Sequence, residues 1–250
     1  MNGKVYLIGA GPGDPELITL KAVRILQSAD VVLIDDLVNP QLLVHVRADA
    51  RIIPVGKRGG CQSTPQAFIQ RQMIQEAQAG MTVARLKGGD PLMFGRGGEE
   101  IEALRAAGIG VEVISGITSG IAAPATLGVP VTHRDWAPGV TFITGHSREG
   151  NEVNWAALAA TRTTLVIYMG VKNLPDIVTR LIAGGLAADT TALAVQSGTL
   201  AQQRQVKATL ATLHAAMLAS AIGSPAIVVI GAVADLAQIA AYTESVAKAA

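Results

Sequence analysis

Arg85-Leu-Lys-Gly-Gly-Asp90-Pro-Leu-Met-Phe-Gly95-Arg-Gly-Gly-Glu-Glu100 is the stretch on which the reading of the chain turns. A short β-branched run, Met81-Thr-Val-Ala-Arg-Leu86, precedes it, and Ile101 and Leu104 follow at the spacing of a helix face. The order is therefore strand, long loop, helix. Glycine-rich backbone loses entropy on folding and charged side chains add little to a core, so a bare connection explains the loop poorly. A ligand site explains it better.

The same grammar extends in both directions. Lys4-Val-Tyr-Leu-Ile-Gly9 is a strand emptying into Gly9-Ala-Gly-Pro-Gly-Asp14, with an amphipathic helix behind it carrying Leu17, Leu20, Val23 and Leu26. Asp30-Val-Val-Leu-Ile34 ends at Asp35-Asp36, a helix is expected from about Pro40, and Arg51-Ile-Ile-Pro-Val55 runs into Gly56-Lys-Arg-Gly-Gly60. Pro65 opens another helix, and Val111-Glu-Val-Ile114 precedes the turn Ser115 to Gly120. Alternating strands and helices predict an α/β fold with a mostly parallel sheet, whose ligands sit beyond the carboxyl ends of the strands. The periodicity breaks around Val129 to Pro138, which suggests two domains, 1–134 and a smaller 135–250. The second starts afresh with Val140 to His146, and strands are expected at 164–169, 191–195 and 226–230, with helices from about Lys172 and near 208–220.

Length and composition narrow the function classes. The 250 residues are 50% hydrophobic but only 3% aromatic, so the cores must be built from Val, Ile, Leu and Ala. The formal charge of +1, without runs of like charge, argues against a nucleic-acid partner. Cys61 is the single cysteine, which fits a reducing, cytoplasmic setting, and the N-terminus lacks the regions of a signal peptide. No formally charged residue occurs between Ala208 and Ala234, but Gly223-Ser-Pro225 divides that stretch, so an amphipathic helix and a buried strand are expected there and no membrane span.

The motifs exclude several chemistries. Gly9 to Asp14 lacks the third glycine of a dinucleotide fingerprint, and no phosphate-binding loop or nucleophile elbow is present. The 4 histidines, His45, His133, His146 and His214, lie far apart without metal-ligand spacing, so no metal is expected. What is left is a set of glycine turns with small hydroxyl and carboxylate groups, and basic residues on loops, Lys57, Arg58, Arg96 and Arg134, that suit a polyanion.

Gly9-Ala-Gly-Pro-Gly-Asp14, Val55-Gly-Lys-Arg-Gly-Gly60, Arg85 to Pro91, Phe94 to Glu100, Gly116-Ile-Thr118, Gly128-Val-Pro-Val-Thr-His-Arg134 and Tyr168-Met-Gly170 together resemble the uroporphyrinogen-III C-methyltransferases. These form a branch of the tetrapyrrole methylases, the class III S-adenosylmethionine enzymes. The resemblance spans essentially the whole chain. It implies two α/β domains of the tetrapyrrole methylase fold with the active site in the cleft between them, the first carrying the catalytic loops and the second completing the cofactor site. It also implies a homodimer, and methyl transfer to C2 and C7 of uroporphyrinogen III to give precorrin-2 through precorrin-1, with S-adenosylhomocysteine as by-product.

Matched motif by motif, Asp35 is similar to the family's proton acceptor and Lys57 to its proton donor. The cofactor positions implied are Pro12, Gly88, Gly89, Asp90, Met93, Thr118, Ser119, Met169, Gly198 and Ala226. Asp90 is expected to face the positive end of the cofactor, and Met169 is open to a plain core role. For the octacarboxylate substrate the resemblance points to Arg96 and Arg134, with Glu99 as a pyrrole N–H acceptor, an orienter of Arg96 or simply a salt-bridge partner. Other readings stay open: a methylase of a later precorrin or of diphthamide precursors, an RNA ribose methyltransferase, and a non-catalytic cofactor sensor.

Overall fold

The structure of the chain, a computed structural model, describes residues 2–56, 64–146 and 152–239. The chain divides into two compact units, Met1–Thr118 and Ser119–Ala250.

In the first unit, β1 (Lys4–Gly9), β2 (Val31–Ile34), β3 (Arg51–Pro54), β4 (Val83–Lys87) and β5 (Gly110–Ile114) alternate with α1 (Leu20–Leu26), α2 (Gln66–Gln78) and α3 (Gly97–Ala106). The strands are all parallel, in the order β3-β2-β4-β1-β5. Successive side chains of a strand point to opposite faces, and the two cores follow that parity. Ile8 and Ala10 pack with Ala22, Ile25 and Leu26 on the α1 side. Val5 and Leu7 pack with Ile69 and Met73 of α2 and Leu104 of α3 on the other. Fully burying a side chain of this kind stabilises by about 1.5–3 kcal/mol. Every residue of β4 is buried, yet Arg85 and Lys87 share the parity of Val83 and so face α2 and α3. Because the strands are parallel, the loops that follow Gly9, Ile34, Pro54, Lys87 and Ile114 all leave from one sheet edge. The segment after Pro40 is a 3-10 helix, Pro40–His45, entered through Asn39, whose side chain accepts the Gln41 amide.

The second unit contains α4 (Ser119–Ala125), β6 (Val140–Thr144), α5 (Trp155–Ala159), β7 (Thr164–Tyr168), α6 (Leu174–Ala183), β8 (Thr191–Gln196), β9 (Arg204–Thr209), α7 (Leu213–Ala219) and β10 (Ala226–Ile230). Its sheet, ordered β6-β7-β10-β8-β9, is mixed: only β6 and β7 pair in parallel. β9 is an edge strand without a fully buried residue, and its polar sequence hides it from hydrophobic periodicity. The uncharged stretch resolves into α7, which buries Leu213 and Met217, and the fully buried β10. Among the described residues no helix is long and apolar enough to cross a membrane.

The division at Thr118 and Ser119 precedes the boundary expected after Arg134, and the second unit is the longer one. The reason is α4, which packs on β7 and β10. Its Gly120 amide donates to the Tyr168 hydroxyl at 2.7 Å, and a Cβ on Gly120 would collide with that oxygen. Removing the hydroxyl strands a buried helix-start amide. Tyr168→Phe is therefore expected to lower stability by about 1–3 kcal/mol, read as a shift of the urea midpoint at unchanged slope.

Candidate active site

At the sheet edge of the first unit, three loops are sewn together by backbone. Gly11 and Gly89 exchange hydrogen bonds, N to O, of 3.2 and 2.7 Å. Asp90 completes the seam, since its Oδ1 accepts the Leu92 amide at 2.8 Å and its Oδ2 the Gly116 amide at 3.1 Å. Gly9, Gly89 and Gly116 pack so closely that a Cβ on Gly116 would lie 2.3 Å from the Gly89 oxygen. These glycines are needed by the protein's own packing before any ligand is considered. Asp90 likewise organises the loops with both oxygens, and a carboxylate's further lone pairs stay open to a ligand donor.

Asp35, at the end of β2, is half-buried. Its Oδ2 accepts from Arg85 Nη2 at 3.3 Å and its Oδ1 from the Asp36 amide at 3.2 Å. Arg85 is 1% exposed and spends its remaining donors inside the unit: Nε reaches Glu100 Oε1 at 3.3 Å and Nη1 the Leu86 carbonyl at 3.3 Å. Lys87 Nζ donates to the same Glu100 oxygen at 3.1 Å, and Gln66 Nε2 does so at 2.9 Å. Burial pushes the Lys87 ammonium below the usual lysine range, and the adjacent Arg85 charge adds to this against the pull of Glu100 and Asp35. The unfolded chain binds that proton more tightly, so the charge costs stability at neutral pH, and the cost is relieved as pH rises toward the ordinary lysine value.

Sequence reasoning missed Arg85, Lys87 and Glu100 as a group. The available signal was parity: two cations at alternate positions of a central strand face one side, and a helix beginning ten residues later must cover them. Lys57 lies outside the described residues, as do Arg58 and Cys61.

Beyond the seam, Met93 is half-buried and its amide bonds the Asp90 carbonyl at 3.3 Å. Phe94 and Arg96 take left-handed backbone, with φ of 53° and 59°. Arg96 is exposed, and its guanidinium grips Glu99 with two bonds, Nε to Oε1 at 3.0 Å and Nη2 to Oε2 at 2.5 Å. The salt bridge among the open readings of Glu99 therefore forms, and it leaves Nη1 of Arg96 pointing away from Glu99's fork. Pro12 sits half-buried between Gly11 and Gly13, which both have positive φ, and Thr118 is buried.

In the second unit, Met169 follows β7, Gly198 follows β8, and Ala226 opens β10 opposite Gln196, so the three share one end of that sheet. Met169 is 54% exposed, which removes the plain core role. Its φ of 53° is left-handed, as are those of Ser197 (50°) and Thr199 (71°). Such conformations in non-glycine residues cost about 1–3 kcal/mol each and gather at functional sites. Gly198 packs on Ala123, whose Cβ would be 2.5 Å from a Cβ there. Ser119 begins α4, while Arg134 is exposed beside His133 and Trp136, whose rings stack at 4.4 Å. In the first unit Leu92, Phe94 and Ile117 are exposed on the loops after β4 and β5, and in the second Ile121 on α4 and Met169 after β7.

Known proteins resemble this chain over most of its length. A uroporphyrinogen-III C-methyltransferase of Pseudomonas aeruginosa is 53% identical over 233 residues, covering 93% of this chain and 95% of the relative. A sirohaem synthase of Pseudomonas fluorescens is 47% identical, but the match spans only 52% of its length. Among solved structures, a uroporphyrin-III C-methyltransferase of Thermus thermophilus complexed with S-adenosyl homocysteine is 38% identical with a TM-score of 0.78, covering 94% of this chain and 100% of that one. A cobalt precorrin-4 methyltransferase reaches a TM-score of 0.83 at 29% identity, over 93% and 96% of the two chains. The family model for tetrapyrrole (corrin/porphyrin) methylases matches residues 4–214, from β1 through the seam and Asp35 to the start of α7, and the chain belongs to that family.

Proposed function

We infer that the chain is an S-adenosylmethionine-dependent C-methyltransferase that methylates uroporphyrinogen III at C2 and C7, giving precorrin-2 by way of precorrin-1. The observation that carries this reading is the Asp35 carboxylate, held by buried Arg85 at the strand edge from which the Gly88 to Arg96 loop departs. The end-to-end identity with uroporphyrinogen-III C-methyltransferases, 53% and 50%, supports the choice of substrate over a later precorrin.

The residues present fit the donor. Exposed apolar side chains, Leu92, Phe94 and Ile117 in the first unit and Ile121 and Met169 in the second, suit the adenine and the sulfonium methyl. Asp90 and the Thr118 and Ser119 hydroxyls suit its polar groups. On the family resemblance, Pro12, Gly88, Gly89, Asp90, Met93, Thr118, Ser119, Met169, Gly198 and Ala226 are assigned to it. When bound, S-adenosylmethionine supplies an electrophilic methyl carbon: the pyrrole π pair forms the new C–C bond while the C–S pair returns to sulfur.

The protein's own work is alignment and proton removal. Once alkylated, the ring system is cationic and loses a proton to the Asp35 carboxylate, which discharges the ring and leaves Asp35 as the neutral acid, and Lys57 is assigned as the proton donor. Arg96, oriented by Glu99, and Arg134 are assigned to substrate carboxylates. We assign a homodimer on the family resemblance and the cytoplasm on the single cysteine.

Anaerobic incubation of the full chain with S-adenosylmethionine and uroporphyrinogen III tests the reading. A product heavier by two CH2 units, two methyl groups gained and two protons lost, is expected in the mass spectrum. Folded protein that leaves the tetrapyrrole unmethylated, or that accepts only a later precorrin, overturns it.

A further inference from the structure

The charged group beneath Asp35 is more elaborate than folding requires. On the α2 and α3 side of β4, the parity that begins with buried Val83 continues with Arg85 and Lys87, where an all-parallel sheet ordinarily places aliphatic residues. Removing charges from water is expensive, and apolar side chains of similar volume often serve stability as well or better. Glu100 is completely buried, and three donors converge on its Oε1 while Oε2, also buried, has no hydrogen-bond partner among the described residues. An unsatisfied buried oxygen in a native protein calls for a reason other than stability.

The direction of Arg85 supplies the reason. Its planar fork is engaged on three sides: Nε on Glu100, Nη1 on the Leu86 carbonyl and Nη2 on Asp35. The guanidinium therefore joins a fully buried carboxylate to the half-buried one at the sheet edge, and Glu100 determines where its outer nitrogen lies. A lysine at position 85 would make one contact and leave the other undefined.

We propose that Glu100 is a positioning residue for proton transfer, locking Arg85 so that the guanidinium holds the Asp35 carboxylate in the geometry that receives the macrocycle's proton. The inference rests on the assignment of Asp35 as proton acceptor. Its rival is purely structural: Glu100 neutralises Lys87 and Arg85, which would otherwise repel one another in the core.

Glu100→Gln keeps the shape and one acceptor oxygen but removes the charge that anchors Arg85. In steady-state assays of the full chain, kcat is expected to fall roughly 10- to 100-fold, as for a displaced catalytic group. KM for uroporphyrinogen III and the calorimetric Kd for S-adenosylmethionine should stay within about twofold of the unaltered protein. A structural defect would not give that split. Glu76→Gln is the matched control, because Glu76 is also buried and ion-paired, with Arg51, but belongs to the far end of α2. It should lower stability and leave kcat unchanged.

The double variant Lys87→Met/Glu100→Gln removes one cation with the anion and restores the charge balance. A kcat still depressed about tenfold or more supports positioning, whereas recovery to the level of the unaltered protein overturns it in favour of neutralisation. This variant also carries the test should Glu100→Gln alone fail to fold. Asp35→Asn, assayed alongside, separates the two assumptions. Full activity there overturns the role of Asp35 and this inference with it; an inactive Asp35→Asn beside a fully active Glu100→Gln overturns the positioning role alone.

Discussion

Asp35→Asn is expected to reduce kcat by about 10²–10⁴-fold, the usual contribution of a general base, while the Kd for S-adenosylmethionine changes less than twofold. Asparagine is the same size and can still accept from Arg85 through its amide oxygen, so the contact to Arg85 Nη2, now 3.3 Å, need not be lost. What disappears is the ability to take up a proton. The second consequence is electrostatic. With Asp35 neutral, Arg85 and Lys87 have Glu100 as their one remaining anion within salt-bridge reach among the described residues, so the core carries an excess cation. Lys87 is already held below the ordinary lysine range by burial, and losing the Asp35 charge, which pulls the other way, lowers it further. Chemistry and stability should therefore separate. Isothermal titration with the cofactor, thermal unfolding and a single-turnover assay on one preparation make the distinction. A variant that keeps full turnover would remove Asp35 from the proton step.

Gly116→Ala is expected to lower kcat/KM by about 10²-fold, the penalty for displacing reacting groups by about 1 Å. It should also destabilise the chain by about 1–3 kcal/mol through overpacking. The added methyl would meet backbone in every direction, 2.3 Å from the Gly89 oxygen and 2.8 Å from the Gly9 Cα, so no flexible side chain can yield. The loop after β5 must move away. That breaks the 3.1 Å bond from the Gly116 amide to Asp90, and Asp90 then loses half of the contacts that fasten the loop after β4. Affinity for S-adenosylmethionine should fall with kcat/KM, which distinguishes this variant from Asp35→Asn. Gly110→Ala is the control: it lies at the opposite end of β5, where an added Cβ meets nothing within 4 Å. Unchanged cofactor affinity in Gly116→Ala would show that the seam does not form the cofactor site.

Local patterning was enough for most of the framework. The strands that run into Gly9, Asp35, Gly56 and Gly88 are legible because each is a short apolar run stopped by a turn residue, and their alternation with helices demands a parallel sheet. β9 was not legible, since an edge strand with one solvated face needs no hydrophobic alternation. The division into compact units after Thr118, as against the boundary expected after Arg134, was hidden for a similar reason. Prolines and lost periodicity around Val129 to Pro138 mark irregular backbone, but membership of a unit is decided by packing, and α4 is held to the second sheet by Tyr168 and by the face of β10. The mixed pairing of that sheet was equally hidden, because periodicity reports which residues are buried and says nothing of strand direction.

The Arg85 to Glu100 stretch contains both outcomes. By itself the sequence determined that a strand, a glycine-rich loop and a helix follow one another there, that the loop departs at the ligand edge, and that the motifs are those of a tetrapyrrole methylase. These are properties of neighbouring residues, and neighbours in sequence remain neighbours in any fold. Tertiary structure alone decided that Arg85, flanked by aliphatic residues, reaches Glu100 fifteen positions later and Asp35 fifty positions earlier. Strand parity turns Arg85 toward α3, the inserted position of β4 brings β2 alongside, and burial leaves its charge to be balanced by the carboxylates that the fold delivers.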